Sequence, residues 1–179
     1  MARNCLSEIG ASNVLVSCAV PAHGVKNIYL MPADGVTLTR NSVGVVSNAV
    51  FAAGYRSYMV EGYKQNIQVT TAIRSFDASN KLDISVMFKL PHSASGTLTG
   101  TTLAGALLAR KWYVLVEMND SSKFIVGDIS PLECSGFDWD SNANGLLRTV
   151  TLTAPEGSYG NYIRDITSPA ANVIISKAV

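Results

Sequence analysis

Charged residues are scarce in this sequence. Aspartate, glutamate, lysine and arginine make up 15% of the 179 residues, and the formal net charge is +1. An average soluble domain has about 25% charged residues. The small net charge argues against general binding of nucleic acid through phosphate neutralisation. The low charge content fits either an ordinary β domain rich in small polar residues or a subunit whose surface is buried against neighbouring copies.

Cysteines and long apolar runs are also scarce. Cys5, Cys18 and Cys134 are odd in number and form no metal-binding pattern, which predicts buried free thiols in a reducing compartment. The most apolar stretch, residues 43–55, is interrupted by polar residues and is too short to cross a bilayer. The first residues lack a basic head followed by an apolar core, so we expect no signal peptide. We therefore expect no membrane span.

The common catalytic motifs are missing as well. The chain contains no Walker loop, no GxGxxG after a strand, no HExxH and no GxSxG. His23 and His92 lie in no metal or nucleophile motif. Tyr55, Tyr58 and Tyr63 resemble a stacking surface for single-stranded nucleic acid, but tyrosines at such mixed spacing are more typical of a packed or interfacial cluster. We therefore expect neither enzymatic activity nor a cofactor.

Residues 140–145 form the most specific local pattern. Oxygen-bearing side chains occupy the first, third and fifth positions and glycine the sixth, as in a calcium loop. The twelfth position is Thr151, which cannot supply the bidentate carboxylate that closes such a loop. A turn of Asn, Asp and Gly between two strands explains the same residues. We therefore predict no metal site.

The clearest secondary-structure pattern is a β-hairpin over residues 112–126. Two runs rich in β-branched and aromatic residues flank a polar turn at residues 119–122. A short helix over residues 103–110 precedes the hairpin, with Thr101 or Thr102 as its N-cap. The sequence therefore predicts a helix, a tight junction and a hairpin in that order.

A second strong pattern surrounds the turn at residues 77–80. Apolar and polar residues alternate over residues 66–74 and again over residues 82–90. This alternation predicts a long antiparallel ribbon with one apolar face that packs and one polar face that meets water or a lumen. We assign Ile73, Ile84, Val86 and Phe88 to the packed face.

The remaining patterns are weaker. Residues 26–31 and 36–39 flank the turn pair Asp34-Gly35 and predict another hairpin. Residues 147–154 alternate threonine with other residues and predict a strand. Residues 41–62 fit neither period, and residues 173–175 predict either a last edge strand or an arm docked on a neighbour.

These elements predict one mainly β domain. We expect an α+β fold with one short helix, built as an antiparallel β-sandwich or barrel that carries the long hairpin. Extended arms are expected at residues 1–25 and 158–179.

The order of the elements is similar to that of the tail tube family of bacteriophages and related injection machines. Lys111-Trp-Tyr-Val-Leu-Val-Glu117, Phe124-Ile-Val-Gly127 and Thr149-Val-Thr-Leu-Thr153 carry the resemblance, which covers roughly the C-terminal two-thirds of the chain. It implies a small β-sandwich or barrel flanked by one helix, closing into rings that stack into a tube.

The resemblance also implies a function. The protein would be a structural virion protein, a subunit of a tail tube or of a tail or neck ring, made in the host cytoplasm. Its partners would be copies of itself and other tail or neck proteins, and DNA would pass through the channel. In that family the long ribbon lines the lumen, which would place either of two sets of residues towards the channel: Gln68, Thr70 and Arg74, or Asp83, Ser85 and Lys89.

The alternative is a β-sandwich module that binds a glycan or a protein. Such a module would group exposed aromatic side chains on one rim. Trp139, Tyr159 and Tyr162 are the candidates for that role.

Removal of calcium should not affect folding, because the loop at residues 140–145 lacks its closing carboxylate. The melting temperature in EDTA should equal that in buffer. A shift of several degrees on adding EDTA, reversed by calcium, would contradict this prediction.

Overall fold

A five-stranded antiparallel sheet lies in the middle of the protein. The computed structural model describes residues 24–62, 66–76, 79–91, 100–139, 147–155 and 163–178. Within them, β1 and β7 are the inner strands of this sheet, and they pair along their whole lengths. From one edge to the other its strands are β11 (Arg164–Asp165), β8 (Lys123–Val126), β7 (Trp112–Met118), β1 (Val25–Pro32) and β4 (Tyr58–Glu61).

Strands β1 and β7 are buried on both faces. Four consecutive residues of β1, from Ile28 to Met31, are at most 3% exposed, and Val114, Leu115 and Val116 of β7 are equally buried. Successive side chains of a strand point to opposite faces, so consecutive burial requires a cover on each side. The central sheet therefore lies between two further layers.

A four-stranded antiparallel sheet covers one face. Its strands, in order, are β5 (Ile67–Phe76), β6 (Ser79–Pro91), β10 (Leu147–Thr153) and β9 (Glu133–Trp139). The side chains of Val86, Phe88 and Leu152 are fully buried between the two sheets. The helix α1 (Gly100–Ala109) closes one end of this sandwich. The indole nitrogen of Trp112 donates a hydrogen bond to the carbonyl oxygen of Leu107 at 3.3 Å.

A β-hairpin and a second helix cover the other face. The hairpin consists of β2 (Val36–Arg40) and β3 (Val46–Phe51), and the helix is α2 (Ser168–Ser176). Val46 and Ile174 are fully buried there against Leu115 and Ile125 of the central sheet. None of the described sheets closes on itself, so the arrangement is a sandwich and not a barrel.

The structure confirms the strongest sequence predictions. The fold is mainly β. The hairpin at residues 112–126 consists of β7 and β8, and its turn places Ser121 at a positive φ of 68°. The ribbon is formed by β5 and β6, which pair from Ile67 with Phe88 to Phe76 with Ser79.

Two predicted elements are wrong. Residues 173–175 lie in α2, where Ala170, Ala171 and Ile174 are buried on one helix face; this packing outweighs the strand propensity of the β-branched residues. The fold thus has a second helix, and the described residues 163–178 pack on the chain's own core. Residues 1–23 of the predicted N-terminal arm lie outside the described residues, and Val25 begins β1.

The predicted hairpin of residues 26–31 with 36–39 is also wrong. β1 pairs with β4 and β7, whereas β2 pairs with β3. The turn between them carries the chain from the central sheet into another layer, where the Tyr55 ring packs directly on the α-carbon of Gly35. Residues 41–62, which fit no single period, contain both β3 and β4.

The two faces of the ribbon should respond differently to truncation. Phe88 is fully buried, so Phe88→Ala should lower the free energy of unfolding by about 3–5 kcal/mol through lost burial and a cavity. Ser85 lies on the opposite face, and Ser85→Ala should change the free energy of unfolding by less than about 0.5 kcal/mol. Denaturant unfolding measures both, and a harmless Phe88→Ala would contradict the assignment of faces.

Candidate functional site on the four-stranded sheet

The predicted lumen residues lie on a single face. The sequence predicted one polar face for the ribbon, and the register places the polar residues of both strands on it. Thr70 pairs with Ser85, and Gln68 pairs with Met87 two residues away. This outer face of the four-stranded sheet points away from the central sheet. All six predicted residues occupy outer-face register positions: Gln68, Thr70, Arg74, Asp83, Ser85 and Lys89.

Threonines of β10 complete the outer face. Thr153 pairs with Ser85 and Thr149 pairs with Lys89, while Thr151 lies between them opposite Gly136 of β9. The sequence predicted the alternation of this strand but did not assign its threonines to the site. The two-residue spacing of these threonines is the same as that of the polar residues in the ribbon, and this spacing could have assigned them to one face.

Short hydroxyl side chains occupy part of the outer face. The Thr70 hydroxyl donates to the carbonyl oxygen of Ser85 at 3.4 Å, and the Ser135 hydroxyl donates to that of Thr151 at 3.3 Å. Hydroxyl groups that already donate a hydrogen bond within their own sheet have fewer donors left to bind a small ligand. Across the described residues, His, Cys, Asp and Glu form no group of three that could hold a metal ion. The face is therefore suited to contact with water or with a broad partner.

The sheet has two open edges, β5 and β9, among the described strands. The Lys89 N–H donates to the carbonyl oxygen of Asn66 at 3.0 Å. In an antiparallel ladder, alternate residues of a strand bond to the same neighbour. The backbone groups of Gln68 and Thr70 therefore bond to β6, whereas the N–H of Thr71 points to the open edge. The edge of β5 therefore offers backbone groups to another strand.

The ribbon projects beyond the sheet. The register of β6 with β10 ends where Ser85 pairs with Thr153, and a last backbone bond joins the Ala154 N–H to the carbonyl oxygen of Ile84 at 3.3 Å. Beyond that point, residues 72–76 and 79–83 pair only with each other within the described part of the chain. We call these residues the projecting ribbon end.

A buried carboxylate lies between β1 and β7. Glu117 is 7% exposed. It accepts hydrogen bonds from Lys26 at 3.2 Å, Asn27 at 3.1 Å and the Tyr29 hydroxyl at 3.2 Å. Burial alone would raise the pKa of Glu117, but these hydrogen bonds and the Lys26 charge outweigh it and hold the pKa below its usual value. The network fixes the end of the central strand pair.

A second buried carboxylate joins three elements. Asp128 follows β8 with its side chain fully buried, and its Oδ2 lies 3.1 Å from Nε of Arg40 in β2 and 3.2 Å from Nε of Arg164 in β11. Burial raises the pKa of Asp128 above its usual value, against the opposing charges of the two guanidinium groups. Because it links the outer hairpin to the edge of the central sheet, we assign this cluster a structural role.

The other candidate residues have structural positions or fall outside the description. Tyr58 packs edge-on against Trp112, with ring centroids 6.2 Å apart, and the Tyr55 hydroxyl donates to Asp34 at 3.3 Å. Cys134 is a free thiol whose pKa burial raises. The loop at residues 140–145 lies outside the described residues, as do both histidines, Cys5, Cys18, Tyr63, Tyr159, Tyr162 and the side chain of Trp139.

Comparisons of this chain with protein-family models, with curated proteins and with solved structures found no match. No helix within the described ranges is long and apolar enough to cross a membrane.

The Glu117 network should make stability depend on pH. The folded pKa lies below the unfolded value of about 4.5, so the ionised carboxylate stabilises the fold above that pH, and this contribution is lost as the pH falls through the folded pKa. Glu117→Gln should lower the free energy of unfolding at pH 7 by about 1–3 kcal/mol. The difference from the natural protein should shrink below about pH 4.5.

Urea unfolding at pH 7 and at pH 3.5 tests this prediction. Glu61→Gln in the neighbouring strand is the matched control because the Glu61 side chain is exposed, and it should change stability by less than about 0.5 kcal/mol. An equal loss for Glu117→Gln at both pH values would show that packing, and not charge, is responsible.

Proposed function

We propose that the protein is a structural subunit that assembles head to tail into a ring of a virus particle, in a phage tail tube or in a tail or neck ring. The ring proposal depends on one observation: among the described strands, the four-stranded sheet ends at β5 and β9, which run in opposite directions. The assignment to a tail or neck comes from the resemblance in element order. The partners are copies of the chain and other tail or neck proteins.

Strand direction supports pairing between the two edges. Each neighbouring pair in the order β5-β6-β10-β9 is antiparallel, and four strands are an even number. β9 therefore runs opposite to β5, so that a second copy placed with its β5 beside β9 continues the antiparallel order. This contact joins different surfaces of the two copies, and such head-to-tail contacts form rings when the rotation closes.

Edge chemistry supports the same arrangement. Monomeric proteins usually protect an edge strand with charged residues, proline or a covering element. β5 contains no proline, and Arg74 is its only charged residue. Closure of the sheet around a ring would leave no open edge of this sheet.

The outer face suits a channel wall. In a ring closed through this sheet, one face of every copy lines the lumen. The outer face offers hydroxyl and amide groups from Gln68, Thr70, Ser85 and Thr151, beside register positions that hold charged residues of both signs. Lys89 and Asp138 both flank Thr149 and carry opposite charges. A nearly neutral wall would let DNA pass without strong phosphate binding.

Substitution at the open edge tests the proposal. The natural protein should form rings in negative-stain images and have a mass well above that of a monomer by light scattering. Thr71→Pro removes an N–H that points to the open edge and is not used in the pairing of β5 with β6, so the subunit should fold but remain monomeric. Thr71→Ala keeps the N–H and should assemble normally.

Two outcomes would contradict the proposal. A natural protein that stays monomeric at high concentration, with no rings on grids, would favour the glycan- or protein-binding module. Rings formed equally well by Thr71→Pro would show that this edge is not an interface.

A further inference from the structure

A cleft of about 390 Å³ lies at the end of the sandwich where β1 ends and β7 begins. The Ala33 N–H donates to the carbonyl oxygen of Lys111 at 2.9 Å, and Trp112 and Leu132 exchange two backbone hydrogen bonds of 2.8 Å. These bonds join the turn after β1, the junction of α1 with β7 and the segment before β9. Together the joined segments line the cleft with Ala33, Asp34, Ala109, Arg110, Lys111, Tyr113 and Pro131. The volume is in the range of small-molecule sites, about 300–1,000 Å³.

The Arg110 guanidinium is held at the cleft without a hydrogen bond. Its Cζ lies 5.6 Å from the centroid of the Tyr55 ring, and that ring packs on Gly35. Oδ2 of Asp34 lies 3.6 Å from its Nη1, which is longer than a hydrogen bond. The side chain of Arg110 is 41% exposed, and among the described residues its guanidinium donates no hydrogen bond. A stacked guanidinium of this kind can bind a carboxylate through two parallel N–H groups.

Asp34 and Tyr113 add an acceptor and a donor. Oδ2 of Asp34 accepts a hydrogen bond from the Tyr55 hydroxyl at 3.3 Å, whereas Oδ1 accepts none from the described residues. Burial, with the negative charge of Asp128, raises the pKa of Tyr113 above its usual value. The phenol is therefore protonated at neutral pH and can donate a hydrogen bond to a ligand.

The rest of the lining is apolar or already paired. Ala33, Ala109 and Pro131 contribute apolar surface. Nζ of Lys111 lies 2.8 Å from Oε1 of Glu133, so this cation has a carboxylate partner. A ligand that satisfies the cleft needs one carboxylate, neighbouring hydroxyl groups and a C–H surface.

We propose that the cleft binds a sugar acid, a pyranose ring that carries a carboxylate. The carboxylate accepts hydrogen bonds from Arg110. One ring hydroxyl donates to Asp34, another accepts from Tyr113, and the C–H face of the ring packs on Pro131. A phosphate would bring a second negative charge close to Asp34, and a neutral sugar would leave Arg110 without an acceptor. The inference does not depend on ring assembly.

Saturation-transfer NMR titrations of the full chain test this site, because the method detects weak ligands on monomers and on large assemblies. Glucuronate should bind. Methyl glucoside has the ring without the carboxylate, and acetate has the carboxylate without the ring, so both should bind at least about tenfold more weakly. Methyl glucuronide represents the end of a glycan. Binding equal to that of glucuronate assigns the site to glycan ends, and weaker binding assigns it to the free sugar acid.

Two substitutions locate the binding. Arg110→Gln removes the cation and should raise the Kd for glucuronate at least about tenfold. Tyr113→Phe removes only a hydroxyl group and should raise the Kd about three- to tenfold. Arg56→Gln is the matched control, since Arg56 is an exposed arginine that lines a separate cavity beside the end of α2, and it should bind as the natural protein does. All these variants should melt close to the natural protein.

Several outcomes would overturn the inference and leave the ring proposal intact. These are absence of glucuronate binding by the natural protein, equal binding by Arg110→Gln, and binding of acetate or methyl glucoside as tight as that of glucuronate. Arg110 belongs to neither β5 nor β9, so Arg110→Gln should form rings as the natural protein does. The two proposals can therefore fail independently.

Discussion

Burial of both faces of the β1–β7 pair is the constraint on which the rest of the structure depends. Ile28, Leu30, Val114 and Val116 face the four-stranded sheet, whereas Tyr29, Met31 and Leu115 face the outer hairpin and α2. Each such side chain stabilises the fold by about 1.5–3 kcal/mol when buried, so neither cover can be removed without exposing half of the core. The three-layer order follows from this requirement. Among the described residues it leaves the outer face and the edges of the four-stranded sheet, and the exposed sides of α1, α2 and the outer hairpin, for contacts with other molecules.

The buried charges lie at the ends of the central strands, where partners can reach them. Glu117 meets Lys26 at one end of the sheet, and Asp128 meets Arg40 and Arg164 at the other. Buried ion pairs add little net stability, because desolvation offsets much of the attraction, but removal of one partner is strongly unfavourable. We therefore interpret both clusters as interactions that hold neighbouring elements in position on the central sheet, not as reactive sites.

The sequence predicted those elements whose partners are adjacent in the chain. The ribbon and the hairpin at residues 112–126 were found because each alternation is followed at once by its partner strand. Pairing of β1 with β7 joins residues far apart in sequence, so local turn chemistry at Asp34-Gly35 misled the prediction. Alternation predicted that the ribbon has one polar face, and the resemblance implied that this face lines a lumen. Only the register between strands shows that the threonines of β10 share that face. The sequence around Glu117 and Asp128 contains no local pattern that predicts their partners, because most of those partners are distant in the chain.

The distribution of charge links the scarcity seen in the sequence to the proposed assembly. Several of the chain's few charges are used in pairs such as Lys111 with Glu133 and Arg110 with Asp34, both beside α1. The helix itself has no charge, and β5 has one. Charge is thus low on β5, the edge that a neighbouring copy would cover, as it is on α1, α2 and β3, which contain no charged residue. An open, nearly uncharged edge strand on a monomer would invite non-specific pairing with any exposed strand. Closure into a ring gives that edge a single partner, which is the physical advantage that a head-to-tail assembly of this fold would have over a monomer.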